Sequence, residues 1–204
     1  MKKLIGMILA LVICLSGHCA LAGNWNVPGG STSQTTSGNN TATRVKTTFA
    51  EDSIATRTGP SQDYTGSGTM FHMKDRQAVA LAQAVDASGI CWVEIEVDYN
   101  PGAYRICWVG AKRLNLTDTQ LKRLPYDYEF ALGEGTINQT VALRMGPGSA
   151  YIVNKDYSFS KGTEVMVVAS DGDYYIVERM VYNQEDGREL ILRCWVPASC
   201  VTMK

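Results

Sequence analysis

The sequence predicts an all-β protein made from two copies of one small unit, and three observations carry that reading. Ala55-Thr56-Arg57-Thr58-Gly59-Pro60-Ser61-Gln62-Asp63-Tyr64 returns as Ala142-Leu143-Arg144-Met145-Gly146-Pro147-Gly148-Ser149-Ala150-Tyr151, with Arg, Gly, Pro and Tyr in register at an offset of 87 residues. Cys107-Trp108-Val109 recurs as Cys194-Trp195-Val196 at the same offset. Two separated signatures with one offset indicate duplication. Between the signatures, short alternating runs are punctuated by turn residues every 8–12 residues or so, the pattern of a small barrel or sandwich.

Lys2 and Lys3 precede an apolar run from Leu4 to Leu15, and Ala20-Leu21-Ala22 supplies an A-x-A cleavage site. That is the build of a removable export signal. The run falls short of the roughly 20 residues needed to span a bilayer. Cys14 and Cys19 follow Ile13 and His18 rather than small residues, which argues against lipid anchoring. The expected product is secreted or held in the cell envelope, cut near Ala22, with no membrane association afterwards. Residues 23–48 are rich in Ser, Thr, Gly and Asn and cannot bury enough apolar surface to offset their ordering entropy, so they read as a flexible leader.

The first unit, residues 49–117, opens with a strand at Ser53 to Arg57, closed by Gly59-Pro60. Gln77 to Val85 alternates from Val79, although its alanines also permit helix. In Trp92-Val93-Glu94-Ile95-Glu96-Val97-Asp98 the apolar residues share one face, which turns Glu94, Glu96 and Asp98 toward water. Asn100-Pro101-Gly102 then leads back into Tyr104 to Val109. Residues 118–136 form a linker with one short helix, since Thr117-Asp118-Thr119-Gln120 fits a capping box and Pro125 stops the run. The second unit, residues 137–204, repeats the plan, with a strand at Glu164 to Ala169 and a hairpin from Tyr174 through Asn183–Gly187 to Trp195.

Each unit resembles a bacterial SH3 domain, a small β-barrel found in exported and cell-wall proteins. The resemblance rests on the opening strand ending in Arg-x-Gly-Pro with a Tyr four residues after the Pro (Arg57 to Tyr64, Arg144 to Tyr151), the aromatic opening the next hairpin (Trp92, Tyr174), and a closing Trp-Val (Trp108-Val109, Trp195-Val196). Lys-Gly-Thr before the second strand is present at Lys161-Gly162-Thr163, but Lys74-Asp75-Arg76 replaces it in the first unit. The resemblance covers roughly 50–117 and 137–204. It implies two SH3-like β-barrels in tandem, joined by a short helical linker, with a ligand groove near the loops that often serves cell-wall peptide.

Composition narrows the chemistry. Of 19 basic residues, Lys2 and Lys3 leave with the signal, so 20 acidic residues give the mature chain a net charge of about −3. No basic cluster is available to displace counterions from a polyanion, and nucleic acid is a poor partner. His72 is the one histidine after cleavage. It reads as a surface residue beside a turn rather than as a base for Cys91 or Cys107, no nucleophile elbow or phosphate loop is present, and the chain is expected to be non-enzymatic. Cys91, Cys107, Cys194 and Cys200 do not fit zinc spacing, and no metal or cofactor is expected. Four cysteines in an exported chain point to disulfides. Cys91–Cys107 and Cys194–Cys200 would keep the units independent. Against the first stands the hairpin, which places Glu96 rather than Cys91 opposite Cys107.

Exposed amphipathic aromatics suit peptide and sugar recognition. Trp92 shares parity with Glu94 and Glu96 and should be at least partly exposed. Together with Tyr99, Tyr104, Tyr174, Tyr175 and Tyr182 it forms the candidate ligand-binding set. Trp108, Trp195, Tyr64 and Tyr151 read mainly as core, and Arg57 and Arg144 either clamp a ligand or hold the turn that follows them. The function expected is a secreted non-catalytic module binding cell-wall peptidoglycan peptide or an envelope protein. The alternative is a structural adaptor that binds another exported protein through packed tandem domains.

Overall fold

Alternation of buried and exposed positions builds two antiparallel sheets. The computed structural model describes residues 44–127, 131–184 and 187–204. The signal, its cleavage site near Ala22 and the leader up to residue 43 lie outside the described residues, as do positions 128–130 and 185–186.

The first sheet contains β1 (Val45–Thr48), β2 (Ile54–Arg57), β3 (Gly66–Met70), β4 (Gln77–Val85), β5 (Cys91–Asn100) and β6 (Ala103–Gly110), in the order β1-β4-β5-β6-β2-β3. A 3-10 turn (Ala111–Arg113) and a one-turn helix, α1 (Asp118–Leu121), follow. The second sheet contains β7 (Gly133–Ile137), β8 (Val141–Arg144), β9 (Val153–Phe159), β10 (Glu164–Asp171), β11 (Tyr174–Tyr182), β12 (Glu189–Pro197) and β13 (Val201–Met203), in the order β13-β7-β10-β11-β12-β8-β9. From β7 to β9 this is the first sheet's order, strand for strand. The counterpart of β13 in the first half is a single bridge from Leu114 to Phe49. Even the bulges coincide: β4 shifts register between Ala80 and Ala82, β10 between Val167 and Ala169, 87 residues apart. The β4 bulge moves Ala82 and Ala84 from the inner face to the outer one, beside Trp92 and Trp108.

Each sheet curls over its own core. Phe49, Ile54, Val93, Ile95 and Val109 fill the first, and Ile137, Leu143, Val167, Val177 and Leu192 the second. Val45–Thr48 falls in the stretch whose composition reads as leader, yet it forms β1. Antiparallel pairing with Gln77–Ala80 satisfies its backbone, and Val45 and Thr47 are buried.

The helix carries the expected capping box: Gln120 N donates to Thr117 Oγ1 at 3.2 Å and Thr117 N donates to Gln120 Oε1 at 2.9 Å. The chain beyond it stays pinned to β4. Gln83 Nε2 donates to the carbonyls of Leu121 and Leu124 at 3.0 and 2.9 Å, and Leu124 enters the first core. No helix among the described residues is long and apolar enough to cross a membrane.

Candidate functional site

The repeated signature has a direct structural meaning. Arg57 pairs with Trp108 across β2 and β6, and Arg144 with Trp195 across β8 and β12, so in both copies the two signatures are ladder partners. Arg57 Nη1 donates to the Tyr64 carbonyl at 3.0 Å and Arg144 Nη1 to the Tyr151 carbonyl at 2.9 Å. Both arginines hold the turn that follows them. The glycine is required by close approach: a Cβ on Gly59 would stand 2.1 Å from the Tyr64 ring, and one on Gly146 2.0 Å from the Tyr151 ring.

These turns are also where the two sheets meet. Thr65 N donates to Ile191 O and Ile191 N to Asp63 O, both at 2.8 Å. In the counterpart, Ile152 N donates to Tyr104 O at 3.0 Å and Tyr104 N to Ala150 O at 2.9 Å. Tyr104 and Ile191 are again 87 residues apart. The hydroxyls complete the exchange, Tyr64 Oη donating to Glu178 Oε1 at 2.8 Å and Tyr151 Oη to Glu96 Oε2 at 2.5 Å. A contact in which each half lends the same group to the other has the geometry of a twofold interface, here within one chain. Ile106, Val168, Ala169, Ile176 and Trp195 form the apolar layer between the sheets.

This packing corrects the expected exposure of the Glu94 face. Glu96 is held by Tyr151 and by Arg44 Nη2 at 2.5 Å, and Glu94 is half-buried; Asp98 alone of the three is exposed. Trp92, on the same face, is only 7% exposed. Its Nε1 donates to Asp86 Oδ2 at 2.8 Å. Burial works against the Asp86 carboxylate, but that bond and the amides of Ile90 and Ser88 hold it below the usual range.

Beside the interface sits a buried charge cluster. Arg193 donates through Nη1 to both oxygens of Asp127 at 2.9 and 2.8 Å and through Nε to Glu178 at 2.7 Å. Its guanidinium lies 5.2 Å from the Tyr64 ring centre and 5.8 Å from that of Trp108, within cation–π range. Glu94 lines a cavity of about 20 Å³ with Thr58, Trp108 and Arg193. Burial, then the charge of Asp127, pushes its carboxyl up to about 7 against the opposing pull of Arg193. Burial foremost also raises the phenol of Tyr64.

A large concavity on the first sheet gathers one predicted residue, Trp92. It encloses about 710 Å³ and is lined by Ala55, Arg57, Ile90, Trp92, Lys112 and Arg113, among others. That volume suits a small ligand or a peptide segment. The other predicted aromatics do not gather there. Tyr99 is 51% exposed with Arg105 5.9 Å from its ring, and Tyr182 is 64% exposed at the end of β11. Tyr104 stacks obliquely on Tyr151 at 6.2 Å, Tyr174 packs into the layer between the sheets, and Tyr175 lies against the second core. The residues missed by sequence reasoning are the groove's cations, Lys112 and Arg113, which sit in a 3-10 turn with no motif of their own.

The disulfide expectation is corrected: all four cysteines are free. Cys107 pairs with Ile95, because a bulge between Asp98 and Asn100 shifts the register, and Cys91 lies four residues further along β5. At about 3.3 Å per residue that is roughly 13 Å, beyond the ~7 Å Cα limit of a bridge. Cys194 is followed by three more strand residues before Cys200 enters a 3-10 turn, where its sulfur accepts from Gln139 Nε2 at 3.1 Å. Burial raises the thiols of Cys91, Cys107 and Cys194. Among the described residues no three His, Cys, Asp or Glu come together as metal ligands.

Fold and site together define an all-β protein of two matched sheets locked back to back, with an open groove on the first. The chain matches no protein-family profile and no curated protein sequence.

Proposed function

We propose that the chain is a secreted, non-catalytic binding protein built of two bacterial SH3-like barrels in tandem, joined through residues 118–136, and that it recognises cell-wall peptidoglycan peptide or an envelope protein. The observation that carries this reading is the open groove beside Trp92, bounded by the turn after β2 on one side and the 3-10 turn on the other. The matching strand orders of the two sheets support the tandem-barrel description. The thiols support a non-catalytic role, because a nucleophilic cysteine needs a depressed pKa and burial raises these. His72 faces Asp52 at 3.9 Å on the surface rather than a thiol. Lys2, Lys3, the Leu4–Leu15 run and Ala20-Leu21-Ala22 support export.

Sedimentation with purified peptidoglycan tests the wall reading: the mature protein should co-sediment at physiological salt, and a protein left wholly in the supernatant would remove that reading. The adaptor alternative is favoured by the exposed side chains of Tyr99, Met180 and Tyr182 at hairpin ends. Crosslinking in wall-free culture supernatant should then capture an exported protein through them.

A further inference from the structure

The charge of the groove narrows what it accepts. Arg57, Lys112 and Arg113 line it, and among the described residues no carboxylate does. Arg113 is paired with Glu51, and Arg57 spends Nη1 on the Tyr64 carbonyl. Lys112 is exposed and makes no described ion pair.

The fold does not require Lys112 or Arg113. At the offset of 87, Lys112 becomes Ser199 and Arg113 becomes Cys200, which is buried, and the second sheet closes its 3-10 turn without either charge. Gly110 likewise becomes Pro197. Arg57 is kept as Arg144, but the charges of Lys112 and Arg113 are local to the first half. Along one wall, Ser53, Ala55 and Arg57 project at alternate positions, about 6.7 Å apart, which is the side-chain repeat of an extended peptide. Ile90 and Trp92 contribute apolar lining.

We propose that the groove takes an extended peptide bearing a carboxylate, with an apolar side chain against Trp92 and Ile90 and the carboxylate between Arg57 and Lys112. This rests on the reading above that the groove is the ligand site, and it adds the chemical class of the ligand.

The test uses the mature chain, labelled with ¹⁵N and titrated with acetyl-Ala-Leu-Glu-amide and acetyl-Ala-Leu-Gln-amide. The Glu peptide should shift the Trp92 indole and Lys112 amide signals and bind about ten-fold more tightly than the Gln peptide, the lower end for a charge-assisted contact. K112E should abolish that preference with the rest of the spectrum unchanged, since Lys112 is exposed. Equal affinities, no binding of either peptide, or shifts that map away from the groove would overturn the proposal. Peptidoglycan co-sedimentation run in parallel keeps the two readings apart. A protein retained by the wall that ignores the Glu–Gln difference refutes the acidic-peptide inference alone. A protein that prefers the Glu peptide but stays in the wall supernatant keeps the inference and loses the wall reading.

Discussion

Glu94→Gln isolates the electrostatics of the layer between the sheets. One guanidinium, Arg193, already serves two carboxylates, Asp127 and Glu178, so a third negative charge at Glu94 finds no partner of its own. Burial then raises the Glu94 carboxyl from 4.5 to about 7. At roughly 1.4 kcal/mol for each tenfold change in proton affinity, that is about 3 kcal/mol of strain once the group ionises. The folded protein holds the proton more tightly than the unfolded chain, so the contribution of Glu94 to stability is fully present below about pH 4.5 and is lost as pH rises to about 7. Gln is neutral and of nearly the same shape. The variant should match wild type at pH 4 and exceed it at pH 8 by about 3 kcal/mol, roughly 6–12 °C in Tm for a chain of this size. Scanning calorimetry at the two pH values reads this directly. No gain at pH 8, or an equal gain at both, would show that Glu94 is not the strained group.

The reciprocal tyrosines are the next target. Tyr151→Phe leaves Glu96 with only the exposed Arg44 and should lose about 1–2 kcal/mol in urea unfolding; Tyr64→Phe should lose less, because the buried Arg193 still serves Glu178. A larger loss from Tyr64→Phe would upset that ordering. Arg105 is a buried cation whose described partners are Thr56 and Ser67, and the second sheet has Leu143 and Leu192 where the first has Thr56 and Arg105. The double variant Thr56→Leu, Arg105→Leu should stay within about 1 kcal/mol of wild type, while Arg105→Ala should lose about 2–4 kcal/mol. A double variant less stable than the alanine variant would contradict this. Thiol titration of the denatured mature chain should count four free thiols, with Cys91 the only one to react, and slowly, in the native protein. A count of two or none would restore a disulfide.

Much of the fold is legible in local pattern. The duplication, the hairpins and the capping box at Thr117 all follow from residue spacing, whereas the alanines of β4 left its bulge unannounced. What was illegible depends on partners remote in sequence. Val45–Thr48 is polar enough to read as leader, and only the open edge of β4 makes it a strand. Period-two alternation assigns Glu94 and Glu96 to water because a single strand carries no record of a second sheet. A signal was nevertheless present: Ile106-Cys107-Trp108-Val109 and Ile191-Leu192 before Cys194-Trp195-Val196 are near-continuously apolar, the mark of strands buried on both faces. Disulfides were inferred from compartment, and register overrules compartment. Of the site, Trp92 was visible as an aromatic at a hairpin start. Lys112 and Arg113 acquire meaning only when the 3-10 turn brings them beside Arg57.

Backbone exchange at the crossing points decides whether the two halves form one locked unit. The amides of Tyr104, Ile152, Thr65 and Ile191 donate only across the interface between sheets. Measured by NMR in deuterated buffer, they should exchange as slowly as the β5–β6 hairpin amides. Exchange at the rate of exposed loops, with the hairpins still protected, would mean that the sheets fold separately and do not dock.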